Sequence, residues 1–138
     1  MPAKDIYHHA VECALIKDGW VILAEDYALT YGSDRVYADI AAKKAIAAER
    51  NSQKIIVEVK SFIGRSFIHE LEQAIGQYTV YRDILEETSR DFEPYLAITK
   101  GIWKSSFQRK LPQMLIRRNQ VRLLIVDPDN EVVEQWIS

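Results

Sequence analysis

The chain has a single cysteine, Cys13, so neither an intramolecular disulfide framework nor a Cys-based zinc cluster is available to it. It has no excess of charge of one sign. Eighteen Lys and Arg stand against 20 Asp and Glu, a formal net charge of -2, which excludes a histone-like or strongly basic tail. No apolar run approaches the roughly 18 residues of a membrane span. The opening Met-Pro-Ala-Lys-Asp lacks the apolar core of a secretion signal. No internal repeat, low-complexity tract or linker interrupts the chain. What is present is 138 residues, 48% of them hydrophobic. That suits a single domain over 1–138 with a real core, in a soluble, reducing, cytoplasmic setting without a membrane partner.

Periodicity predicts a helix over 5–18, where Ile6, Ala10, Val11, Ala14 and Leu15 recur at helical spacing, Asp5 caps the start and Gly19 follows the end. Residues 20–29 are rich in β-formers, Tyr31-Gly32-Ser33-Asp34 reads as a turn, and 36–42 as a strand. Residues 41–50 have helical composition but are equally open to an irregular strand. Asn51-Ser52-Gln53 reads as a turn, and 55–60 (IIVEVK) as a buried strand. A long helix near 66–88 carries Phe67, Leu71, Ala74, Ile75, Tyr78 and Leu85 on its apolar stripe. A strand at 95–99, a Pro-interrupted helix over 104–118 and a hairpin from Val121 to Ile137 complete the chain. The expected architecture is α/β: a mixed sheet flanked by helices in the order helix, three strands, helix, strand, helix, hairpin.

Charge inside the apolar strands is the main chemical signal. Glu58 and Lys60 end the run Ile55-Ile56-Val57-Glu58-Val59-Lys60 on one face, about 7 Å apart along the strand. An ion pair on an edge strand is the competing explanation. Asp39 likewise interrupts Val36-Tyr37-Ala38-Asp39-Ile40-Ala41. If these strands are neighbours, Asp39, Glu58 and the Val59 carbonyl form the hard oxygen set that Mg²⁺ (or Mn²⁺) prefers. Such a metal would lower the pKa of a bound water and neutralise a phosphate oxygen. Lys60 could orient that water or stabilise the pentavalent transition state.

Two helices add candidates. Glu70, Gln73, Gln77 and Tyr81 share a stripe of the long helix, and Gln77 is the chosen site member because Gly76 beside it allows close approach. On the first helix Asp5, His8 and Glu12 share a face, gathering carboxylate, imidazole and carboxylate. His9 reads as a satisfied polar contact, Cys13 as a small core residue, and Trp20, Trp103 and Trp136 first as core. Residues 100–126 hold seven basic residues and no acidic one. Of these, Lys100, Lys104, Arg109, Lys110, Arg117 and Arg118 could follow a DNA backbone, or could simply be a solvated face paired with acids elsewhere.

The Asp…Glu-x-Lys pattern in this element order resembles the PD-(D/E)xK nuclease-like superfamily, with Ala38 where that name has Pro. Longer stretches resemble the XisH family of fdxN element excision controlling factors. These are Asp5-Ile6-Tyr7-His8, Ala14 to Trp20, Tyr37-Ala38-Asp39, Ile56 to Phe62 and Ala74 to Arg82, with Tyr95-Leu96-Ala97 and the terminal hairpin fitting the rest. The resemblance implies a restriction-endonuclease-like fold with Asp39, Glu58 and Lys60 at the catalytic positions and, because the superfamily often supplies an acidic residue from the first helix, Glu12 as a further site member. It also implies a XisI-type companion protein and a role in removing a DNA element by a site-specific recombinase. Three functions compete: a Mg²⁺-dependent endonuclease, a non-cutting DNA- or protein-binding accessory, and a toxin-like nuclease restrained by its companion. Self-association into a homo-oligomer is left open.

Overall fold

The computed structural model describes residues 4–45 and 52–138. A helix α1 (His8–Lys17) is followed by strands β1 (Val21–Tyr31), β2 (Asp34–Ala45) and β3 (Ser52–Val59). Then come α2 (Phe67–Glu87), β4 (Glu93–Thr99), α3 (Lys100–Lys104), a 3₁₀ turn (Ser106–Gln108), α4 (Lys110–Arg118), β5 (Leu123–Asp127) and β6 (Val132–Ile137). The six strands form one sheet in sequence order. Pairing is antiparallel for β1–β2–β3 and β5–β6 and parallel for β3–β4–β5, so the mixed α/β sheet flanked by helices is as expected.

Strict alternation along the central strands makes two cores. Ile55, Val57 and Val59, with Tyr95, Ala97, Leu124 and Val126, pack against Val11, Ala14 and Leu15 of α1. Leu96, Ile98, Leu123 and Ile125 pack on the other side against Leu71, Ala74 and Tyr78 of α2 and against Phe107. Ile56 joins Tyr81 and Leu85 there. Central strands covered on both faces read as apolar runs for this reason. Gly19, at φ +95, ends α1 in the left-handed conformation that favours glycine. No helix among the described residues is long and apolar enough to cross a membrane.

Three local differences from the sequence reading have physical causes. The ambiguous stretch after Ala41 continues as strand through Ala45, because β1 on one side and β3 on the other both offer ladder partners. Residues 46–51 lie outside the described residues, but Ser52 and Gln53, expected in a turn, pair with Ala45 and Lys44 as the start of β3. The helix expected over 104–118 is broken into α3, the 3₁₀ turn and α4, with Pro112 in the first turn of α4, where a missing N–H costs no intrahelical bond. Cys13 is half-buried, not a core residue, and Trp103 and Trp136 are half-buried where Trp20 is buried.

Phe107 is fully buried, edge-on to Phe62 and Phe67 at centroid distances of 5.2 and 5.3 Å. Phe107→Ala is expected to destabilise the protein by about 3–5 kcal/mol in urea unfolding. Gly76 lies inside α2, and a Cβ there would meet no atom within 4 Å. Gly76→Ala is therefore expected to stabilise by about 0.5–1 kcal/mol in the same measurement.

Candidate active site

The β2–β3 ladder ends at the pair Ile40↔Val57, a register that sets Asp39 directly across from Glu58. Two like charges facing each other across an antiparallel pair are destabilising unless something compensates them. Beyond Ile40↔Val57 the strands part. The Val59 N–H donates to Asp39 Oδ2 at 2.8 Å instead of continuing the ladder. The Lys60 N–H, one residue on, turns the other way and donates to the Ala97 carbonyl of β4. A strand residue's N–H and C=O point to the same side. The Val59 carbonyl is thereby directed into the split that holds Asp39.

Glu58 shares the face of Ile56 and is only 7% exposed. The Tyr81 hydroxyl of α2 lies 3.1 Å from Glu58 Oε1 and 2.8 Å from the Tyr37 carbonyl. A phenol has one hydrogen to give. Both contacts are satisfied when Tyr81 donates to Tyr37 and a protonated Glu58 donates to Tyr81. The electrostatics agree: burial first, then the Asp39 charge, push the Glu58 carboxyl up to about 8, with Lys60 opposing. Burial also raises Asp39, against the Val59 N–H and the charges of His8 and Lys60. Burial and the Glu58 charge keep the Tyr81 hydroxyl protonated far above the ordinary phenol range.

Lys60 and Gln77 line an open cavity of 760 Å³ with Val36, Tyr37, Gln73, Gly76, Val80 and Tyr81, which borders the site through Lys60 and Tyr81. Gln77 Oε1 is buried without a hydrogen-bond partner. Gly76 beside it is exposed, and no atom lies within 4 Å of where its Cβ would stand. Gln77 thus stands in the same cavity wall as Lys60 with a free acceptor. Glu12 makes no hydrogen bond with Asp39 or Glu58 among the described residues; its carboxylate meets His8 Nε2 at 2.9 Å, and His8, whose charge acts on Asp39, meets Glu25 at 3.2 Å. Asp5 accepts the Ser61 N–H at 2.9 Å, tying the chain before α1 to the exit of β3. Tyr81, on the polar stripe by spacing, is 5% exposed and is the residue that sequence reasoning missed. Its partner Glu58 is 23 residues away, and no local signal marks it.

The basic segment does not make one stripe. Lys100 follows the end of β4 and is paired with Asp127 at 3.0 Å and Glu134 at 3.8 Å. Lys104, Arg109 and Lys110 lie at that same end of the parallel strands, with Arg109 over the Phe67 ring at 4.9 Å. The crossover through α4 then carries Arg117 and Arg118 to the opposite end, where β5 begins. Linear clustering of charge is undone by the reversal of direction that a parallel connection requires.

The geometry defines a mixed α/β protein with two facing carboxylates and a lysine at the point where two antiparallel strands separate. A family model described as XisH protein matches residues 1–134, and the chain belongs to the XisH family. A crystal structure of an XisH family protein from Nostoc punctiforme PCC 73102 is similar at 38% identity and TM-score 0.86, covering 97% of this chain and 100% of that one. A fdxN element excision controlling factor protein from Anabaena variabilis is similar at 39% identity and TM-score 0.86, covering 98% and 100%. No curated protein matches the chain.

The raised Glu58 has a stability consequence. Its folded value, about 8, lies above the ordinary carboxyl value of 4.5, so its contribution is fully present below about pH 4.5 and is lost as pH rises through 8. Glu58→Gln removes this dependence. The variant is expected to match wild type near about pH 5 and to exceed it near about pH 9 by on the order of 4 kcal/mol, read from denaturant unfolding across pH.

Proposed function

We propose that the chain is a DNA-acting controlling factor of element excision, with a restriction-endonuclease-like core and a Mg²⁺-dependent PD-(D/E)xK endonuclease site. The observation that carries this reading is the facing of Asp39 and Glu58 where β2 and β3 part, with Lys60 two residues beyond. The DNA context comes from the solved relative named as a fdxN element excision controlling factor. Asp39, Glu58 and the Val59 carbonyl are the residues that would hold Mg²⁺ or Mn²⁺. The fit rests on the chemistry of the donor set, two neighbouring carboxyls, Glu58 buried and Asp39 half-buried, each pushed up first by burial, so that a cation would favour their ionised forms. Bound there, the cation supplies charge to a phosphate oxygen and acidifies a water.

The chain's own residues do the rest. Tyr81 fixes the Glu58 carboxyl from α2, and the Val59 N–H fixes Asp39. Lys60 projects a positive charge into the open cavity, placed to stabilise charge on the scissile phosphate. Gln77 offers its unpartnered Oε1 as an acceptor for the attacking water. Glu12 acts at the margin, through His8, whose charge reaches Asp39. Lys104, Arg109 and Lys110 share the strand end on which Lys60 opens and suit contact with the phosphate backbone, while Lys100 is engaged by Asp127.

The printed name of the solved relative speaks of control rather than cutting, and Arg117 and Arg118 are exposed at the end remote from Lys60. That favours one second reading, a non-catalytic accessory that uses this end to engage DNA, a XisI-type companion or the site-specific recombinase. One set of variants separates the two. For the nuclease, supercoiled, branched or single-stranded DNA is cut with Mg²⁺ or Mn²⁺, and Glu58→Gln or Lys60→Ala lowers the rate by about 10²-fold or more. Cleavage that survives Lys60→Ala rejects the assigned site. Excision that survives alanine at Asp39 and Glu58 but is lost on charge reversal at Arg117 and Arg118 selects the accessory.

A further inference from the structure

α1 and β1 bring a second set of ligating atoms together. His8 Nε2 lies 2.9 Å from Glu12 Oε1 and 3.2 Å from Glu25 Oε1, and the three atoms all fall within 4.8 Å of one another. A ring nitrogen carries at most one hydrogen, and an ionised carboxylate carries none. Nε2 therefore has at most one hydrogen for the two carboxylate oxygens that meet it.

The ring is not a loose surface group. His8 is 3% exposed, and its Nδ1 is buried with no hydrogen-bond partner, so the Nε2 side is where the imidazole makes its polar contacts. Glu12 sits one turn further along α1, and Glu25 reaches across from β1. Each carboxylate uses one oxygen. The other oxygen of Glu25 is held by Lys4 Nζ at 3.0 Å, an outer contact of the kind that orients ligating carboxylates. In a tetrahedral centre with bonds of 2.0–2.2 Å, ligand atoms stand about 3.4 Å apart. The two separations from His8 Nε2 reach that spacing with outward movement of a few tenths of an ångström.

We infer that His8 Nε2, Glu12 Oε1 and Glu25 Oε1 form a binding site for a divalent transition-metal ion. The imidazole distinguishes it from the all-oxygen set at Asp39, Glu58 and Val59. One nitrogen with two carboxylate oxygens suits Zn²⁺, Co²⁺ or Mn²⁺, whereas Mg²⁺ is served by oxygen alone. The site is built from α1 and β1 and stands whether or not Asp39 and Glu58 perform hydrolysis.

The test is a Co²⁺ titration, followed by visible absorption, of the full chain carrying Asp39→Asn and Glu58→Gln, with excess Mg²⁺ present. One equivalent is expected to bind with the spectrum of a nitrogen ligand. Adding Glu25→Gln, an exposed position whose change leaves the core intact, is expected to weaken binding by about tenfold or more. His8→Gln is expected to remove the nitrogen signature, with circular dichroism confirming the fold. Binding that is absent in the Asp39/Glu58 background, or indifferent to both Glu25→Gln and His8→Gln, overturns the site. Failure of the nuclease assay leaves this titration untouched, so the two readings fail separately.

Discussion

The hydrogen bond from the Val59 N–H to the Asp39 carboxylate is the constraint around which the site is arranged. It removes a backbone donor from the ladder, and so it marks where β2 and β3 stop behaving as a sheet. It also fixes the rotamer of a carboxylate that must sit beside Glu58. Both helices that flank this point brace it. Asp5, just ahead of α1, holds the Ser61 N–H, and Tyr81 of α2 ties Glu58 to the Tyr37 carbonyl of β2. The split is therefore held open from both faces of the sheet.

Such an arrangement runs against folding. Charges taken from water and set side by side cost free energy that apolar residues in the same places would not. The surrounding strands offset this with dense burial: Ile40, Ile55, Val57, Leu96 and Ala97 have no exposed surface. Local conflict at one point, supported by agreement between pattern and structure everywhere else, is the usual mark of a functional site.

The sequence was informative where a period or a spacing was local. Two charges closing an apolar run exposed Glu58 and Lys60, and a single Asp inside another run exposed Asp39. Both long helices and the terminal hairpin followed from periodicity, and the pair His8 and Glu12 from one helical turn. Long-range partners were silent. Glu25 meets His8 17 residues away, and Tyr81 meets Glu58 23 away, through strand register and helix docking that no single segment encodes. Composition left helix and strand both open after Ala41, and pairing with β1 up to Lys43 and with β3 up to Ala45 selects the strand.

β1 forms one border of the sheet over 11 residues, with Val21 and Leu23 turned to solvent. A border of that length would ordinarily invite run-on association into fibrils. Here the strand carries a bulge between Ile22 and Ala24, and Asp26 adopts φ +49. An incoming chain therefore meets a broken row of donors and acceptors. The same irregular border carries Glu25, whose carboxylate reaches His8 of α1, and its broken ladder works against edge-to-edge pairing.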